Sequence, residues 1–387
     1  MKKIYCDNSA TTPVFPEVIK EIDNYLSDGW GNASSVYTIG RESKFNMENA
    51  RARVAKILNC EPEEIYFTSG GSESDNIFVK GCFKPSSAII TTSMEHPAIR
   101  NACDSLKEQD CLKITLSPNS QGLITLESLM ELEGIIKKEQ PIFATIMLVN
   151  NETGMIQPIK EISKYLKSIC PNIIIHTDAV QAVGKVILDV KNLGVDSMSL
   201  SGHKFGAPKG IGILYLKKGI ECKPLIDGGG QEMGLRSGTE NIPYIMGIAK
   251  ALELTYENFD KKIEELADFD YDFGFQILDK IPEARFNVPF NTSAPRAQGI
   301  FNIRFNGINA QNLLLFLDNA GIYVSAGSAC HSDSDTPSHV LKAIGLTDEQ
   351  ALSSLRFSFK HPLSEEDINY IIESLKEGIK FQQKYDV

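Results

Sequence analysis

Hydrophobic side chains recur at helical spacing in the first part of the chain, and this pattern changes after residue 64. The spacing predicts a helix over residues 16–26 and a longer amphipathic helix over residues 42–58. A polar segment of glycine, asparagine and serine separates the two. Beyond residue 64, short apolar runs alternate with segments of helix length. The change of rhythm indicates that a sheet with covering helices begins there.

The alternating region predicts a mostly parallel sheet. Its apolar runs predict strands at residues 65–67, 88–92, 113–116, 143–148, 173–177, 197–200 and 211–216, and the segments between them predict helices at residues 75–82, 98–109, 126–138 and 159–170. Strands joined by helices favour a parallel sheet with helices on both faces. Ligands of such sheets bind beyond the carboxyl ends of the strands.

The rest of the chain predicts a smaller α+β unit. After a helix at 244–258, the pattern predicts helices at 261–279, 311–320 and 365–384 and strands at 299–304 and 323–324. A length of 387 residues exceeds what one core usually supports. We therefore expect an α/β protein with a large domain over 15–258 and a small domain formed by 1–14 and 259–387.

Composition narrows the class of protein. Hydrophobic residues make up 42% of the chain and charged residues 23%, which is ordinary for a globular protein. A net charge of −11 argues against a nucleic-acid partner, and no apolar run reaches the length of a membrane span. The start of the chain does not resemble a secretory signal. Eight scattered cysteines without a Cys-x-x-Cys pair predict free thiols in a cytoplasmic protein, and no metal site.

The segment Ser201-Gly202-His203-Lys204-Phe205-Gly206 carries the clearest candidate chemistry. It follows a predicted strand, so Lys204 is placed at a strand end among glycines. Desolvation lowers the pKa of an amine, and the free amine is the nucleophile that forms Schiff bases. The alternative from this segment alone is a glycine hairpin in which Lys204 and Lys209 are ordinary loop lysines.

Four other predicted strands also end in polar motifs. Thr68–Ser74 is a glycine and serine loop that enters a helix, which suits a phosphate as well as a simple serine cap. The other three motifs are Glu95-His96-Pro97, Asn150–Gly154 and Asp178-Ala179-Val180-Gln181. Each alone has a structural explanation, but all fall at one edge of the predicted sheet. A phosphate loop, a histidine, a buried acid and a lysine together form the set of groups that surrounds pyridoxal phosphate.

At this point the chain resembles the group I cysteine desulfurases, which are pyridoxal-phosphate enzymes of fold type I in the class V aminotransferase superfamily. The resemblance covers nearly the whole chain and is carried by the motifs above together with Asp7–Pro13, Arg236–Asn241 and Ser325–Cys330. Many motifs in the same order make it specific. It implies a mostly parallel central sheet with helices on both faces and a smaller C-terminal domain.

The resemblance also implies a role for each matching residue. Lys204 would form the Schiff base and move protons, Asp178 would pair with the ring nitrogen, and His96 would stack on the ring and act as acid and base. Gln181 and Asn151 would lie at the ring oxygen, with Asn151 also near the substrate. Arg356 would bind the substrate carboxylate, for which the alternative is a surface salt bridge. The phosphate would be held by Gly71, Ser72, Ser201, His203 and, from the other subunit of a homodimer, Thr239.

Cys330 distinguishes a desulfurase from the rest of the superfamily. It lies in a stretch rich in serine, glycine and aspartate, for which we predict a mobile loop. The resemblance implies that its thiolate attacks the sulfur of L-cysteine, which leaves L-alanine and a Cys330 persulfide. The sulfur would pass to an acceptor protein that serves iron–sulfur assembly or the thiolation of tRNA or cofactors. The chain also ends without the longer tail that docks the iron–sulfur scaffold in some members.

The sequence departs from the family pattern in a few places. Gly71-Ser72 replaces a common Ala-Thr, Lys360 stands where glycine is common, and Cys6 replaces a common leucine. Two other enzymes of the same fold are alternatives: a class V aminotransferase, which would not need Cys330, and a selenocysteine lyase. A non-catalytic sulfur carrier that has kept the fold is a third.

Overall fold

The computed structural model describes residues 2–290, 295–326 and 336–385. The strands are β1 (Ile4–Tyr5), β2 (Ile65–Thr68), β3 (Ala88–Thr92), β4 (Leu112–Leu116), β5 (Phe143–Thr145), β6 (Ile174–Asp178), β7 (Ser197–Ser201), β8 (Gly212–Leu216), β9 (Ala284–Phe286), β10 (Ile300–Phe305), β11 (Ile322–Tyr323), β12 (Ser325–Ala326) and β13 (Ser354–Ser358).

The helices follow the amphipathic segments of the sequence. They are α1 (Pro16–Ser27), α2 (Thr38–Leu58), α3 (Gly71–Cys82), α4 (Pro97–Ser105), α5 (Leu126–Glu131), α6 (Glu133–Glu139), α7 (Ile159–Ile169), α8 (Val190–Leu193), α9 (Ile242–Tyr256), α10 (Phe259–Lys280), α11 (Ala310–Asn319), α12 (His339–Ala343), α13 (Asp348–Leu352) and α14 (Glu365–Tyr385). None of these described helices is long and apolar enough to cross a membrane.

A seven-stranded sheet in the order β2-β8-β7-β6-β5-β3-β4 forms the centre of the fold. Strand β8 pairs antiparallel with both β2 and β7, and the remaining pairs are parallel. All strands of this sheet except β8 therefore run in one direction, and their carboxyl ends share an edge. This confirms the predicted mostly parallel α/β sheet.

The central strands of this sheet are buried on both faces, which explains why short apolar runs in the sequence predicted them. Every residue of β3, β5, β7 and β8 is buried, as expected of strands covered on both faces. Helix α1 begins with a proline in its first turn and buries Val18 and Ile22. The apolar faces of the flanking helices complete the large core around the sheet.

A separate core contains both the N-terminal residues and the C-terminal part of the chain. Strand β1 pairs in parallel with β11, and a four-stranded antiparallel sheet has the order β12-β13-β10-β9. Ile4 and Cys6 are buried with Phe273, Phe301 and Phe357 in this core. The domain limits at residues 14 and 258 stay a prediction.

Several element boundaries differ from the sequence predictions. Helix α2 begins at Thr38 rather than residue 42, and the helix predicted over 126–138 is divided at Leu132. Strand β5 ends at Thr145, although the backbone N–H of Leu148 still donates to Asp178 O in the next strand. Strands β9 and β13 were not predicted as strands. The apolar pattern of β13 is interrupted by Arg356, which the structure buries.

Candidate active site

A cavity of about 400 Å³ opens at the edge where the parallel strands end. It is lined by Ser9, Ala10, Ser69, Gly70, Gly71, Ser72, Glu73, Asp75, His96, Met147, Asn151, Asp178, Val180, Gln181, Ser201, His203, Lys204, Lys209, Gly210 and Arg356. Ten of the twelve predicted site residues are in this set: all but Thr239 and Cys330. The cavity thus collects residues from strand ends that are far apart in the sequence.

Lys204 lies in a short 3-10 turn, Gly202–Lys204, which follows β7 directly. Its ammonium donates hydrogen bonds to the backbone oxygens of Ser9 at 2.6 Å and Ala10 at 2.8 Å. The loop after Lys204 needs Gly206, because its φ is +92° and a Cβ there would lie 2.4 Å from the Phe15 ring. The N-terminal segment therefore holds the lysine loop at the cavity.

Asp178 ends strand β6 inside the cavity. Its Oδ1 accepts the backbone N–H of Val180 at 2.9 Å. Burial raises the pKa of Asp178 to about 6, although the Val180 hydrogen bond and the Lys204 charge act in the opposite direction. A cationic ring nitrogen beside this carboxylate would stabilise its charged form. Gln181 donates its amide to Ser9 O at 2.8 Å, and its own buried oxygen has no partner in the described structure.

A second buried carboxyl, Asp75, lies on helix α3 near Asp178. Burial, and then the charge of Asp178, hold the pKa of Asp75 well above its ordinary value. Its Oδ1 has no hydrogen-bond partner in the described part of the chain. Two neighbouring buried carboxyls repel each other when both are charged, so the pair favours binding one proton. Because the pKa of Asp75 is raised more strongly, we assign the proton to Asp75 and the negative charge to Asp178.

His176 in strand β6 lies beside this carboxyl pair, with its Nε2 3.8 Å from Asp75 Oδ1. The ring nitrogens of His176 bond to Thr145 Oγ1 at 2.8 Å and Ser199 Oγ at 3.0 Å, and the ring stacks on Phe78 at 4.3 Å between centroids. Burial lowers the pKa of His176 to about 3, so the ring is neutral. The neutral His176 ring therefore adds no positive charge that would favour ionisation of the neighbouring carboxyls.

The N-terminus of helix α3 points its first backbone N–H groups at the cavity. No side chain caps this helix, so these donors are left for a ligand. A Cβ at Gly71 would lie 2.6 Å from Val180 Cγ2. Glycine at 71, in place of the alanine common in the family, therefore fits the close approach of Val180 in this chain. The predicted Ser72, Ser201 and His203 line the same wall.

His96 caps helix α4 at the cavity. Its Nδ1 accepts the backbone N–H of Ala98 at 3.2 Å, so the hydrogen of the neutral ring is on Nε2. The preceding Glu95 is fully buried, and its Oε1 accepts from Thr92 Oγ1 and the Met147 backbone. Burial raises the pKa of Glu95 to about 8, so at neutral pH this carboxyl is mostly protonated.

Replacement of Glu95 by glutamine should change how stability depends on pH. Since the folded protein binds the Glu95 proton more tightly than the unfolded chain does, wild-type stability falls as the pH rises from about 4.5 to about 8. The glutamine variant lacks this loss. Its stability relative to wild type should therefore grow by about 2–3 kcal/mol between pH 6 and 9. Denaturant unfolding at each pH measures the difference.

A carboxyl that solvent reaches in both states is the control for this experiment. The exposed Glu17 on α1 provides one as Glu17→Gln. A stability difference for Glu95→Gln that stays constant with pH, as for the control, would show that Glu95 is charged in the folded protein.

Arg356 extends from strand β13 into the cavity and is only 2% exposed. Its Nη2 donates to Asp7 Oδ1 at 2.7 Å, its Nη1 donates to the backbone oxygen of Asn151 at 3.0 Å, and its Nε has no partner in the described structure. The alternative of a surface salt bridge is therefore wrong. A buried guanidinium held from one side can bind a carboxylate with its remaining donor face.

Two predicted site residues are not among those that line the cavity. Thr239 is exposed and lines a neighbouring pocket of about 260 Å³, which shares Ser69 and Gly210 with the main cavity. Cys330 lies outside the described residues. His203 lies in the cavity, and burial followed by the charges of Lys204 and Lys209 lowers its pKa to about 4.

Sequence reasoning gave no site role to Asp7, Ser9 or Asp75. Asp7 and Ser9 belong to a recognised motif, but their contacts are made with residues far away in the sequence. Ser9 accepts from Lys204 through its backbone oxygen, and Asp7 accepts from Arg356 through its carboxylate. Asp75 follows the phosphate-loop motif directly and carries an acid into an apolar helix face. The acidic side chain of Asp75 on the buried face of a predicted helix was the feature of the sequence that could have indicated its role in the site.

The cavity fits pyridoxal phosphate on its own chemistry. Lys204 supplies an amine, Asp178 supplies a buried acid for a ring nitrogen, and the uncapped α3 N-terminus supplies donors for a phosphate. Gln181 and Arg356, each with one buried polar atom that has no hydrogen-bond partner among the described residues, line the same cavity. These features are those that a ring, a phosphate and an amino-acid carboxylate require.

Comparison with known proteins agrees with this chemistry. A family model described as Aminotransferase class-V matches residues 4–371. A relative named cysteine desulfurase IscS, from Clostridium botulinum, is 44% identical over 98% of this chain and 95% of its own. A solved structure titled NifS-like protein has a TM-score of 0.89 at 33% identity and covers 98% of this chain and 100% of that one. Another, titled SspA in complex with cysteine, has a TM-score of 0.77 at 34% identity, covering 93% and 99%.

Proposed function

Because this chain belongs to the class-V aminotransferase family and is an enzyme of its cysteine desulfurase group, we propose that it uses pyridoxal phosphate to remove sulfur from L-cysteine. The products are L-alanine and a persulfide on Cys330. The sulfur then passes to an acceptor protein for iron–sulfur assembly or for thiolation of tRNA or a cofactor. The observation that carries the proposal is the meeting of Lys204, Asp178, His96 and Arg356 in one cavity.

Different residues of the cavity would bind different parts of this cofactor. Lys204 would attach it, Asp178 would pair with its ring nitrogen, and His96, whose Nδ1 accepts the Ala98 N–H, would lie against the ring. Gly71, Ser72, Ser201 and His203 would hold the phosphate, and Gln181 and Asn151 would lie near the ring oxygen. When bound, the cofactor supplies an electron sink for the substrate carbons.

Binding of the substrate falls to Arg356 and Asn151. The Arg356 guanidinium is fixed by Asp7 and by the Asn151 backbone, so its direction is set before the substrate arrives. Lys204 and His96 are the groups in the cavity that hold and move protons. In the overall reaction the substrate C–S bond breaks, a C–H bond forms, and the sulfur becomes the outer sulfur of the Cys330 persulfide.

We propose Cys330 as the nucleophile from the resemblance, and the surroundings of the other cysteines support this choice. Seven of the eight cysteines are described, and none of them lines the cavity. Burial raises the pKa of Cys60 and Cys103 to about 12 and that of Cys111 to about 11, which disfavours the reactive thiolate. Cys330 follows Ala326 by four residues, and β12, which ends at Ala326, pairs with β13 at Arg356.

We further propose a cytoplasmic homodimer. Large apolar side chains are exposed between residues 26 and 45, among them Trp30 at 70% and Phe45 at 71%. Such exposure is typical of a surface that another subunit covers. The exposed Thr239 would then contribute to the phosphate site of the second subunit. Free cysteines in the described part of the chain suit a reducing compartment.

The test is product analysis with the purified, cofactor-loaded protein, L-cysteine and a thiol reductant. A desulfurase releases alanine and sulfide in equal amounts. An aminotransferase instead yields a keto acid without sulfide, and a selenocysteine lyase releases alanine from selenocysteine and little from cysteine. A non-catalytic carrier takes up no cofactor when pyridoxal phosphate is added, stays colourless and shows no turnover. Each of these three results would overturn the proposal.

A further inference from the structure

A second cavity, of about 80 Å³, shares Ser9 and Lys204 with the main cavity. We call it the lysine cavity, because besides Lys204 it is lined by Lys185, Lys262 and Lys360, together with His361. These residues come from four separate parts of the chain: the segment after β6, the 3-10 turn after β7, helix α10 and the segment after β13. The fold thus concentrates positive charge at one point of a protein with a net charge of −11.

No acidic residue lines this cavity in the part of the chain that the structure describes. The charge of Glu265 acts on His361 from outside the cavity wall, and Glu265 forms its own ion pair with Lys261 at 3.7 Å. Lys262 donates to the backbone oxygen of Leu254. The side-chain amines of Lys185 and Lys360 form no hydrogen bond or ion pair with a described residue. Among the residues that the structure describes, no acidic side chain on the cavity wall therefore balances the charges of Lys185, Lys262 and Lys360.

Both half-buried amines are nevertheless charged at neutral pH. Burial, with the charges of Lys204 and Lys360, lowers the pKa of Lys185 to about 8. Burial, with the charge of Lys262, does the same to Lys360. The Phe15 ring lies 3.7 Å from Lys360 Nζ and offsets part of the cost through a cation–π contact. An uncompensated cation at this depth remains unfavourable, so an anion between the amines would be stabilised.

Size and access restrict what that anion can be. A volume of about 80 Å³ has room for a few water molecules or a small tetrahedral ion, and is far below the volume of sites for nucleotide-sized ligands. An outer groove of about 320 Å³ shares Phe15, Phe359, Lys360 and His361 with it. The shared residues place the lysine cavity next to a groove that has no described lining residue in common with the catalytic cavity.

We propose that the lysine cavity is a binding site for a small, doubly charged oxyanion of the size of phosphate or sulfate, held between Lys185, Lys262 and Lys360. The site is separate from the cofactor phosphate site at the α3 N-terminus. Its occupancy goes beyond the proposed desulfurase activity and does not depend on it.

The experiment uses the cofactor-loaded protein, in which the cofactor phosphate already fills the site at α3. Equilibrium dialysis with inorganic phosphate, at constant ionic strength set by chloride, should show one phosphate bound per chain. Lys185→Met and Lys360→Met remove a charge but keep a long apolar side chain. Each should weaken phosphate binding at least about tenfold, since a hydrogen bond to a charged group is lost.

Lys20→Met is the matched control, because Lys20 is an exposed lysine of α1 outside this cavity. It should bind phosphate like wild type. Thermal unfolding identifies a variant that has lost its fold, and the two lysine variants serve as independent tests.

A sulfate titration adds a pH test, because sulfate keeps its double charge while the amines of Lys185 and Lys360 titrate. Affinity for sulfate should fall as the pH rises through about 8. The other charged or titratable groups on the cavity wall are Lys204, Lys262 and His361, and Glu265 acts on His361 from outside the wall. Sulfate binding without phosphate binding would restrict the ligand to sulfate. No saturable binding of either ion at neutral pH, or equal weakening in Lys20→Met, would overturn the proposal.

Discussion

The Cys330→Ala variant is expected to keep its bound cofactor and its colour but to lose turnover of L-cysteine by at least about 1,000-fold. The reason is that no other described cysteine lines the cavity, so no second thiol can take the substrate sulfur. The cofactor should stay because Cys330 is not among the residues proposed to hold it. Alanine and sulfide release, measured beside the absorbance of the bound cofactor, tests both parts.

Cys111→Ala is the matched control for this result. Cys111 is half-buried, burial raises the pKa of its thiol to about 11, and it lies outside the cavity. It should turn over cysteine at the wild-type rate. If instead Cys330→Ala releases alanine and sulfide like wild type, the persulfide forms on another residue or not at all. Mass spectrometry of the wild-type protein after one turnover locates the extra sulfur directly.

Burial decides which parts of the fold could be predicted. The central strands are short apolar runs because both faces are covered, so β3, β7 and β8 were found within a residue of their observed limits. Strand β13 carries Arg356 in its middle and did not read as a strand. Its charge is stabilised by Asp7, a contact between the two ends of the chain that no local pattern contains.

The candidate site shows the same division. Lys204, Asp178 and His96 could be proposed because each follows a recognisable strand and carries a side chain with obvious chemistry. The groups around these three residues could not be predicted. Ser9 and Ala10 contact Lys204 through backbone oxygens, which a sequence motif does not reveal, and the raised pKa of Asp75 depends on its burial in the fold. In the sequence, Lys360 was noticed only as a departure from the family pattern. The lysine cavity became visible only in the structure, where Lys185, whose amine has no partner among the described residues, lines the same cavity as Lys360.

Lys204→Ala should abolish covalent attachment of the cofactor and reduce turnover of L-cysteine by at least about 10,000-fold. Lys204 is the lysine that the fold fixes deep in the catalytic cavity, with its ammonium on the Ser9 and Ala10 oxygens. Borohydride reduction of the wild-type holoenzyme, followed by mass spectrometry, should locate the cofactor on a peptide that contains Lys204. The variant should show no such adduct, although Asp178 and the α3 N-terminus still bind the cofactor reversibly.

Lys209 provides the control that separates attachment from the presence of a lysine in the loop. It also lines the cavity, but it is exposed and has no hydrogen bond to the N-terminal segment among the described contacts. Lys209→Ala should therefore keep the covalent adduct at Lys204. An adduct at Lys209 in the Lys204→Ala variant, with appreciable turnover, would mean that the loop presents either lysine to the cofactor. The carbonyl pair at Ser9 and Ala10 argues against that outcome, because it selects one lysine by position before any cofactor binds.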